Sequence, residues 1–402
     1  MSEVTRSSFG WLDADPERRR HMLEVLDSFV DKTTVDDLGI GTMRDALADT
    51  MFPGTSVLHT RLRYVLLVAW GLRQAGQQPT VDQMWAELRH HEWRTLASLQ
   101  KGGEEQGVIG SRAQKTLQRM PSSIYSSALK SWGIRKSSTI GAYFQLCHLG
   151  ARHQDPGAGE LGAPSALTSA LDPNLPAAPA GVLREASFAL RREEAEYLRE
   201  RIRRSHPHSI FAWLADHEAV DLTGSRAPWD ITPLVELPKK LRHLVEASRG
   251  VSFSILGASL LYNLLLAELR EDEERVDHYR AALSGWFSDP EADDPLPSFR
   301  QGELNTVLSA ADIQRIESSR AFLAEWTGHV RTADSAESLS GSREVRQLIS
   351  HRERRMKGKR ARLHNPAALD QWSGASGTAR LTFRWPVVRQ HLEDLYEAGA
   401  EA

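Results

Sequence analysis

Seven cationic side chains, Arg112, Lys115, Arg119, Lys130, Arg135, Lys136 and Arg152, lie between Gln106 and Gln154 in a stretch without a single Asp or Glu. With 53 acids in 402 residues, a window of that length should hold about six. Cations free of interspersed acids suit a polyanion, whose phosphates they neutralise while its counterions are released. A second run, His351 to His364, reads HRERRMKGKRARLH and sets Arg352, Arg354, Arg355, Lys357, Lys359, Arg360 and Arg362 against Glu353 alone. No aromatic is interleaved with it, so it fits phosphate contact, a solvated helix end or docking on an acidic partner, and not base stacking. A third group, Arg44, Arg61 and Arg63, stands with Asp13 and Asp45 among strongly apolar residues. Such charges are either buried in an ionic network or arranged as an anion pocket for a phosphate or nucleotide.

Enzyme signatures are scarce. The sequence has no phosphate-binding GxxxxGK loop, no GxGxxG after a strand, no HExxH, no GxSxG elbow and no paired HxK motif. His206 and His208, with Asp216, His217 and Glu218 nearby, match no standard metal spacing, and Pro207 makes the site a helix-stop turn. Arg201 and His206 fit the loose Arg-to-His spacing of some helical ribonucleases of bacterial conflict systems, but an Arg-rich chain with 15 His produces such matches by chance. No catalytic residue, metal or cofactor is assigned.

The elements that must carry these cations are almost all helices. Apolar residues recur at helical spacing over Pro16 to Phe29, Thr42 to Phe52 and Leu62 to Trp70, where Ser56 is the expected cap. Thr80 caps a further helix reaching Gln100. Phe253 to Arg270 is apolar nearly all round and is read as a buried central helix. Ala310 to Val330 and Ser335 to Arg354 read as long helices, and only Ala379 to Trp385 alternates as a strand would.

Within the acid-free stretch the pattern predicts three short helices in a helix-turn-helix arrangement. The first runs from Ser111 to Met120; the second follows Pro121 with Ser122 as cap and turns Ile124, Tyr125, Ala128, Leu129 and Trp132 inward. Gly133 supplies a left-handed stop. Ser137 or Ser138 caps the third, whose inward stripe is Ile140, Tyr143, Phe144 and Cys147. Arg135, Lys136, Ser137 and Ser138 therefore gather where a recognition helix presents its first residues to phosphate and base edges. The other reading is a trihelical scaffold that docks on protein.

The expected fold class is mainly α: a multidomain helical protein with a trihelical helix-turn-helix-like segment and very little strand. Its parts are an N-terminal helical domain, 1–154, including the segment 111–149; a Pro/Ala/Gly-rich linker, 155–182; a helical middle domain, 183–300; and a C-terminal helical region, 301–402, holding the basic run 351–364. The polar first twenty residues lack a secretory h-region, and the single Cys147 fits a reducing cytoplasm. The apolar run Ser252 to Leu269, broken by Gly257 and Asn263, reads as a core helix and not as a membrane span.

Several blocks carry a resemblance. Ser8-Phe9-Gly10-Trp11-Leu12-Asp13, Leu38-Gly39-Ile40-Gly41-Thr42-Met43-Arg44-Asp45, Phe52-Pro53-Gly54-Thr55-Ser56 and Thr60-Arg61-Leu62-Arg63-Tyr64 lie in the first 70 residues. Pro121-Ser122-Ser123-Ile124-Tyr125, Leu260-Leu261-Tyr262-Asn263 and Arg384-Trp385 follow. Together they resemble a bacterial family of about this length with no assigned activity, whose members tend to be encoded beside helicase-like and phospholipase-D-like proteins in antiviral defence clusters. The resemblance implies a role in defence with such partners. Cations and resemblance together predict a non-catalytic nucleic-acid-binding or assembly subunit. The rivals are a diverged nuclease, metal-dependent or of the helical ribonuclease kind, and a pure protein adaptor.

Overall fold

A computed structural model of the chain describes residues 36–111, 117–153, 170–218, 220–231, 236–289 and 308–400. The elements are α1 (Gly41–Met51), α2 (Tyr64–Ala75), α3 (Val81–Lys101), α4 (Pro121–Ile124), α5 (Ser126–Ser131), α6 (Ile140–His153), α7 (Arg192–Ser205), α8 (Ile210–Ala215), α9 (Lys239–Leu269), α10 (Glu273–Phe287), α11 (Ala310–Thr332), α12 (Ala336–Gly341), α13 (Arg343–Lys357), α14 (Pro366–Asp370) and α15 (Trp385–Ala400). The fold is mainly α-helical and multidomain, and its helical units share one connected cluster of buried apolar side chains running from Leu38 to Ala398.

The 31-residue helix α9 organises the second half of the chain. Its best window is long and apolar enough to cross a membrane by length and composition, yet 94% of that window is buried inside the fold. α10, α11, α13 and α1 pack around it. Gly257 is what lets α10 approach: a Cβ there would meet the Trp286 ring at 2.3 Å. That ring stacks on Phe253 at 5.1 Å, and its Nε1 donates to the Phe253 carbonyl at 3.0 Å. Two buried polar groups of α9, Tyr262 and Asn263, receive the C-terminal segments. Asn263 donates to the Ser376 carbonyl (2.7 Å) and accepts from Ser376 N (2.8 Å) and Trp372 Nε1 (3.2 Å), so a buried amide is matched on both its ends.

Some expectations are corrected. Ala379–Trp385 forms no strand; an isolated antiparallel bridge joins Arg135 and Leu171. Ser56 caps no helix, because α2 begins only at Tyr64, and the helix expected over Ser335 to Arg354 is split at Ser342, which caps α13. Residues 170–182, the described part of the expected linker, are docked. The Pro176 carbonyl accepts from Trp70 Nε1 at 2.9 Å, Arg73 donates to the Leu175 carbonyl at 2.9 Å, and Leu175 is buried. A Pro-rich strap has no periodicity to advertise, but its free carbonyls are good acceptors. The helix expected over Pro16 to Phe29 lies outside the described residues.

Candidate nucleic-acid interface

Of the three helices expected in the acid-free segment, the second and third are seen among the described residues, with changed detail. Arg112 and Lys115 lie outside the described residues, and 117–120 are not helical. The second helix is interrupted at Tyr125, giving α4 and α5. The cause is the Tyr125 hydroxyl, which reaches into the core, donates to the Arg61 carbonyl at 2.8 Å and accepts from Thr60 N at 2.8 Å. The start of α4 is capped from afar, the buried Glu92 carboxylate accepting from Ser122 N at 2.7 Å. Gly133 adopts φ +65°, the left-handed stop expected of it.

Arg135 does not lie on the surface expected of it. It is 1% exposed; Nη1 donates to the Ser137 carbonyl at 2.7 Å and Nη2 to Ser126 Oγ at 2.9 Å. The strap covers this corner, with Lys136 N donating to the Ala170 carbonyl and Asp172 N to the Ile134 carbonyl. Ser137 is buried too, and Thr139 caps α6 by accepting from Ala142 N at 3.0 Å. Arg135 and Ser137 therefore serve the turn itself, because a guanidinium is the one side chain that can satisfy several converging backbone and hydroxyl oxygens at once. Lys130, Lys136 and Ser138 remain exposed, and Arg119 is half-buried. Lys130 Nζ donates to the Lys136 carbonyl at 2.9 Å.

The C-terminal run divides into anchors and surface. Arg352 is buried and binds the Leu38 and Gly39 carbonyls. Lys357 and Arg362 both pair with the buried Asp37, Arg362 at 3.0 Å. Glu353, the run's one acid, is fully buried, accepting from Tyr262 Oη (2.6 Å), Arg362 N (2.6 Å) and Leu363 N (3.0 Å). Thus three cations lock the run to residues 37–39 while its acid faces inward. Arg354 and Arg355, in the last turn of α13, and Lys359 and Arg360, just beyond it, are left exposed on a segment fixed from beneath.

The N-terminal arginines do not converge. Arg44 pairs with Asp45 at 3.0 Å on the surface. Arg63, nearly buried, pairs with the fully buried Glu194 at 2.9 Å. Arg61 reaches Asp394 on α15 at 2.7 Å, past the ring of Phe188. Each carries its own carboxylate, which is the network arrangement; the pocket arrangement needs all three aimed at one vacancy. Asp394 also accepts from Leu62 N at 2.7 Å, and burial pushes its carboxyl up to about 6 against the pull of that N–H and Arg61.

Sequence reasoning missed a histidine pair beside that ion pair. His59 stacks on Tyr125 at 4.1 Å and lies 5.5 Å from His391, both rings buried. His59 Nε2 donates to the Ile124 carbonyl at 3.1 Å, which assigns its tautomer. Burial holds His59 down to about 3 and His391 well below its ordinary value. It also missed Ser318, whose exposed hydroxyl accepts from Arg352 at 2.8 Å and from Arg355. Neither has a local signal, since every partner lies far away in sequence. Arg201 and His206 act as brackets, Arg201 on the Trp132 carbonyl (3.0 Å) and Asp172 (3.2 Å), His206 on Ser131 Oγ (2.8 Å). Among the described residues no three His, Cys, Asp or Glu gather as metal ligands.

A mainly helical chain with a fixed basic turn is the class that fold and surface define. The chain belongs to the family of unknown function DUF6361, which matches residues 6–399. No curated protein and no solved structure matches it.

Proposed function

We propose that this protein is a non-catalytic nucleic-acid-binding or assembly subunit of a bacterial antiviral defence system, acting in the cytoplasm with a helicase or nuclease partner. The observation that carries the nucleic-acid part is the basic patch formed by the last turn of α13 and the turn after it. Four exposed cations, Arg354, Arg355, Lys359 and Arg360, share a short run whose one acid is turned into the core, and their backbone is held by Arg352, Lys357 and Arg362. A preorganised cationic surface loses little entropy when it meets a phosphate backbone. The defence setting is supported by the resemblance in the N-terminal, central and C-terminal blocks.

The test is the salt dependence of duplex binding by the full chain. Wild type should lose affinity steeply as salt rises, and the change Arg354→Glu, Lys359→Glu, Arg360→Glu should abolish most binding without changing helical content. Undiminished affinity in that variant would remove the proposal. If the variant instead loses a co-purifying protein while its DNA behaviour is unchanged, the turn is a protein-docking element and the chain an adaptor.

A further inference from the structure

Arg352 holds distant parts of the chain together through neutral acceptors, where Arg61, Arg63 and Arg362 hold theirs through carboxylates. Nε donates to the Leu38 carbonyl (2.7 Å), Nη1 to the Ser318 carbonyl (3.0 Å) and Oγ (2.8 Å), and Nη2 to the Gly39 carbonyl (2.9 Å) and Ser319 Oγ (3.1 Å). Every acceptor is neutral, and among the described residues no carboxylate lies within ion-pair distance, although the side chain is only 4% exposed. Arg61, Arg63 and Arg362 each have an acid. Asp36 is the carboxylate whose charge reaches Arg352, and its oxygens already accept from Ile40 N (2.5 Å) and Gly41 N (2.7 Å) at the start of α1. Glu317, next to Ser318 on α11, is paired with Arg320 at 2.5 Å.

Arg355, one turn edge further out, donates to the same Ser318 Oγ. Two guanidinium groups thus converge on one neutral, solvent-exposed hydroxyl oxygen. Like charges so placed repel unless an anion joins them; burial and the nearby Arg355 already lower the proton affinity of Arg352 to about 10.

We propose that Arg352 Nη1, Arg355 and the Ser318 hydroxyl form a discrete site for one phosphate group, and that it holds a backbone phosphate of the bound nucleic acid. The assignment of that source rests on the function proposed above. A phosphate oxygen accepts from both guanidinium groups, while the Ser318 hydroxyl, relieved of two donors, turns to donate to a second oxygen. A tetrahedral group with several oxygens can meet donors arriving from two directions. Covalent phosphorylation of Ser318 fits less well, because the residue lies inside the 23-residue helix α11 and its backbone is not free to extend into a kinase.

The full chain is melted in inorganic phosphate or pyrophosphate and in sodium chloride of equal ionic strength, as wild type, Arg355→Ala and Ser318→Glu, and the same proteins are titrated with a short duplex. Phosphate should raise the wild-type melting temperature by a few degrees beyond chloride. Arg355→Ala should keep its own melting temperature and lose that response. Ser318→Glu places a carboxylate where the phosphate would sit, so it should melt higher without phosphate, ignore phosphate, and bind the duplex about tenfold more weakly. No response to phosphate beyond chloride, or a lowered melting temperature in Ser318→Glu, overturns the site. A phosphate response with unchanged duplex affinity in both variants overturns the backbone assignment and makes the ligand a free phosphate or phosphate ester. Loss of duplex binding in the Arg354, Lys359, Arg360 variant without any phosphate response leaves the proposed function standing and removes this site; a phosphate response in a protein that binds no duplex does the reverse.

Discussion

Arg135 and Arg352 are both buried arginines in acid-poor stretches, and the two stretches use them differently. Arg135 folds back on its own neighbourhood, bonding Ser126 and Ser137 within ten residues of itself. Arg352 reaches to residues 38–39 and 318–319 and so ties three distant parts of the chain together. Around Arg135 a strap closes over the corner; around Arg352 the neighbouring cations stay exposed. An acid-free run is therefore no sign of an anion ligand by itself, because backbone carbonyls and hydroxyls are acceptors for a guanidinium too. In the second run the buried and half-buried cations reach residues 37–39 while four neighbouring cations stay exposed.

The comparison breaks most severely where a carboxylate would be left alone. Arg61→Ala removes the partner of the buried Asp394 and should cost roughly 3 to 5 kcal/mol in denaturant unfolding. Arg352→Met strands neutral carbonyl and hydroxyl oxygens, and should cost about 2 to 4 kcal/mol. If Arg352→Met proves the more damaging, the contrast between paired and unpaired arginines is mistaken.

Arg135→Ala should cost about 2 to 3 kcal/mol, since the oxygens of Ser126 and Ser137 lose their donors, and Arg135→Glu more. Duplex affinity, measured where the variant is still folded, should not change. Lys136→Glu, on the exposed neighbour, should leave stability within about half a kcal/mol. A drop in DNA affinity for Arg135→Ala with stability intact would restore the recognition-helix reading.

The difference between what was legible and what was not follows the range of the interactions. The central helix α9, the Thr80 cap, the Gly133 stop and the inward Ile140, Tyr143 and Phe144 of α6 are all set by residues a turn or two away, and periodicity reports them. The choice of partner for a buried polar group is not local. Asp45 is the natural candidate partner for Arg61 in the sequence, yet Arg61 pairs with Asp394, 333 residues on, because α15 packs across the Thr60–Arg63 turn. The docking of residues 170–182 is likewise non-local: carbonyls of Leu175 and Pro176 are bonded by Trp70 and Arg73, more than a hundred residues earlier. In the candidate site, cations could be found by composition, but which of them face solvent could not.

Acid should expose the joint between the two ends of the chain. His59 and His391 are held neutral by burial, so in the folded state they take up no proton when pH falls below the ordinary histidine value of 6.5, whereas the unfolded chain does. Each therefore lowers stability as pH drops. Asp394 acts in the opposite sense: raised to about 6, it binds a proton in the folded state before the unfolded chain does, down to its ordinary value of 3.8. Two histidines against one carboxylate leave a net loss of about 1.4 kcal/mol per pH unit between about 6 and 4 from this cluster. His391→Phe should flatten the stability–pH profile there; an unchanged profile would show that the pair opens to water.

Arg354 is exposed and forms no ion pair among the described residues, so Arg354→Ala should leave stability within about half a kcal/mol of wild type. If the turn after α13 meets a duplex, the same change should reduce the slope of log affinity against log salt by almost one unit, because one phosphate contact and its released counterion are lost. The loss should be the same for duplexes of unrelated sequence, since a phosphate carries no base information. Lys136→Ala, an equally exposed cation in the other acid-poor stretch, is the control and should leave the slope unchanged. If both changes lower the slope equally, the nucleic acid runs over both stretches and the contrast between them belongs to folding alone. If Arg354→Ala leaves the slope unchanged while Lys136→Ala lowers it, the contact surface lies at the start of α6 after all, with Arg135 as its buried support.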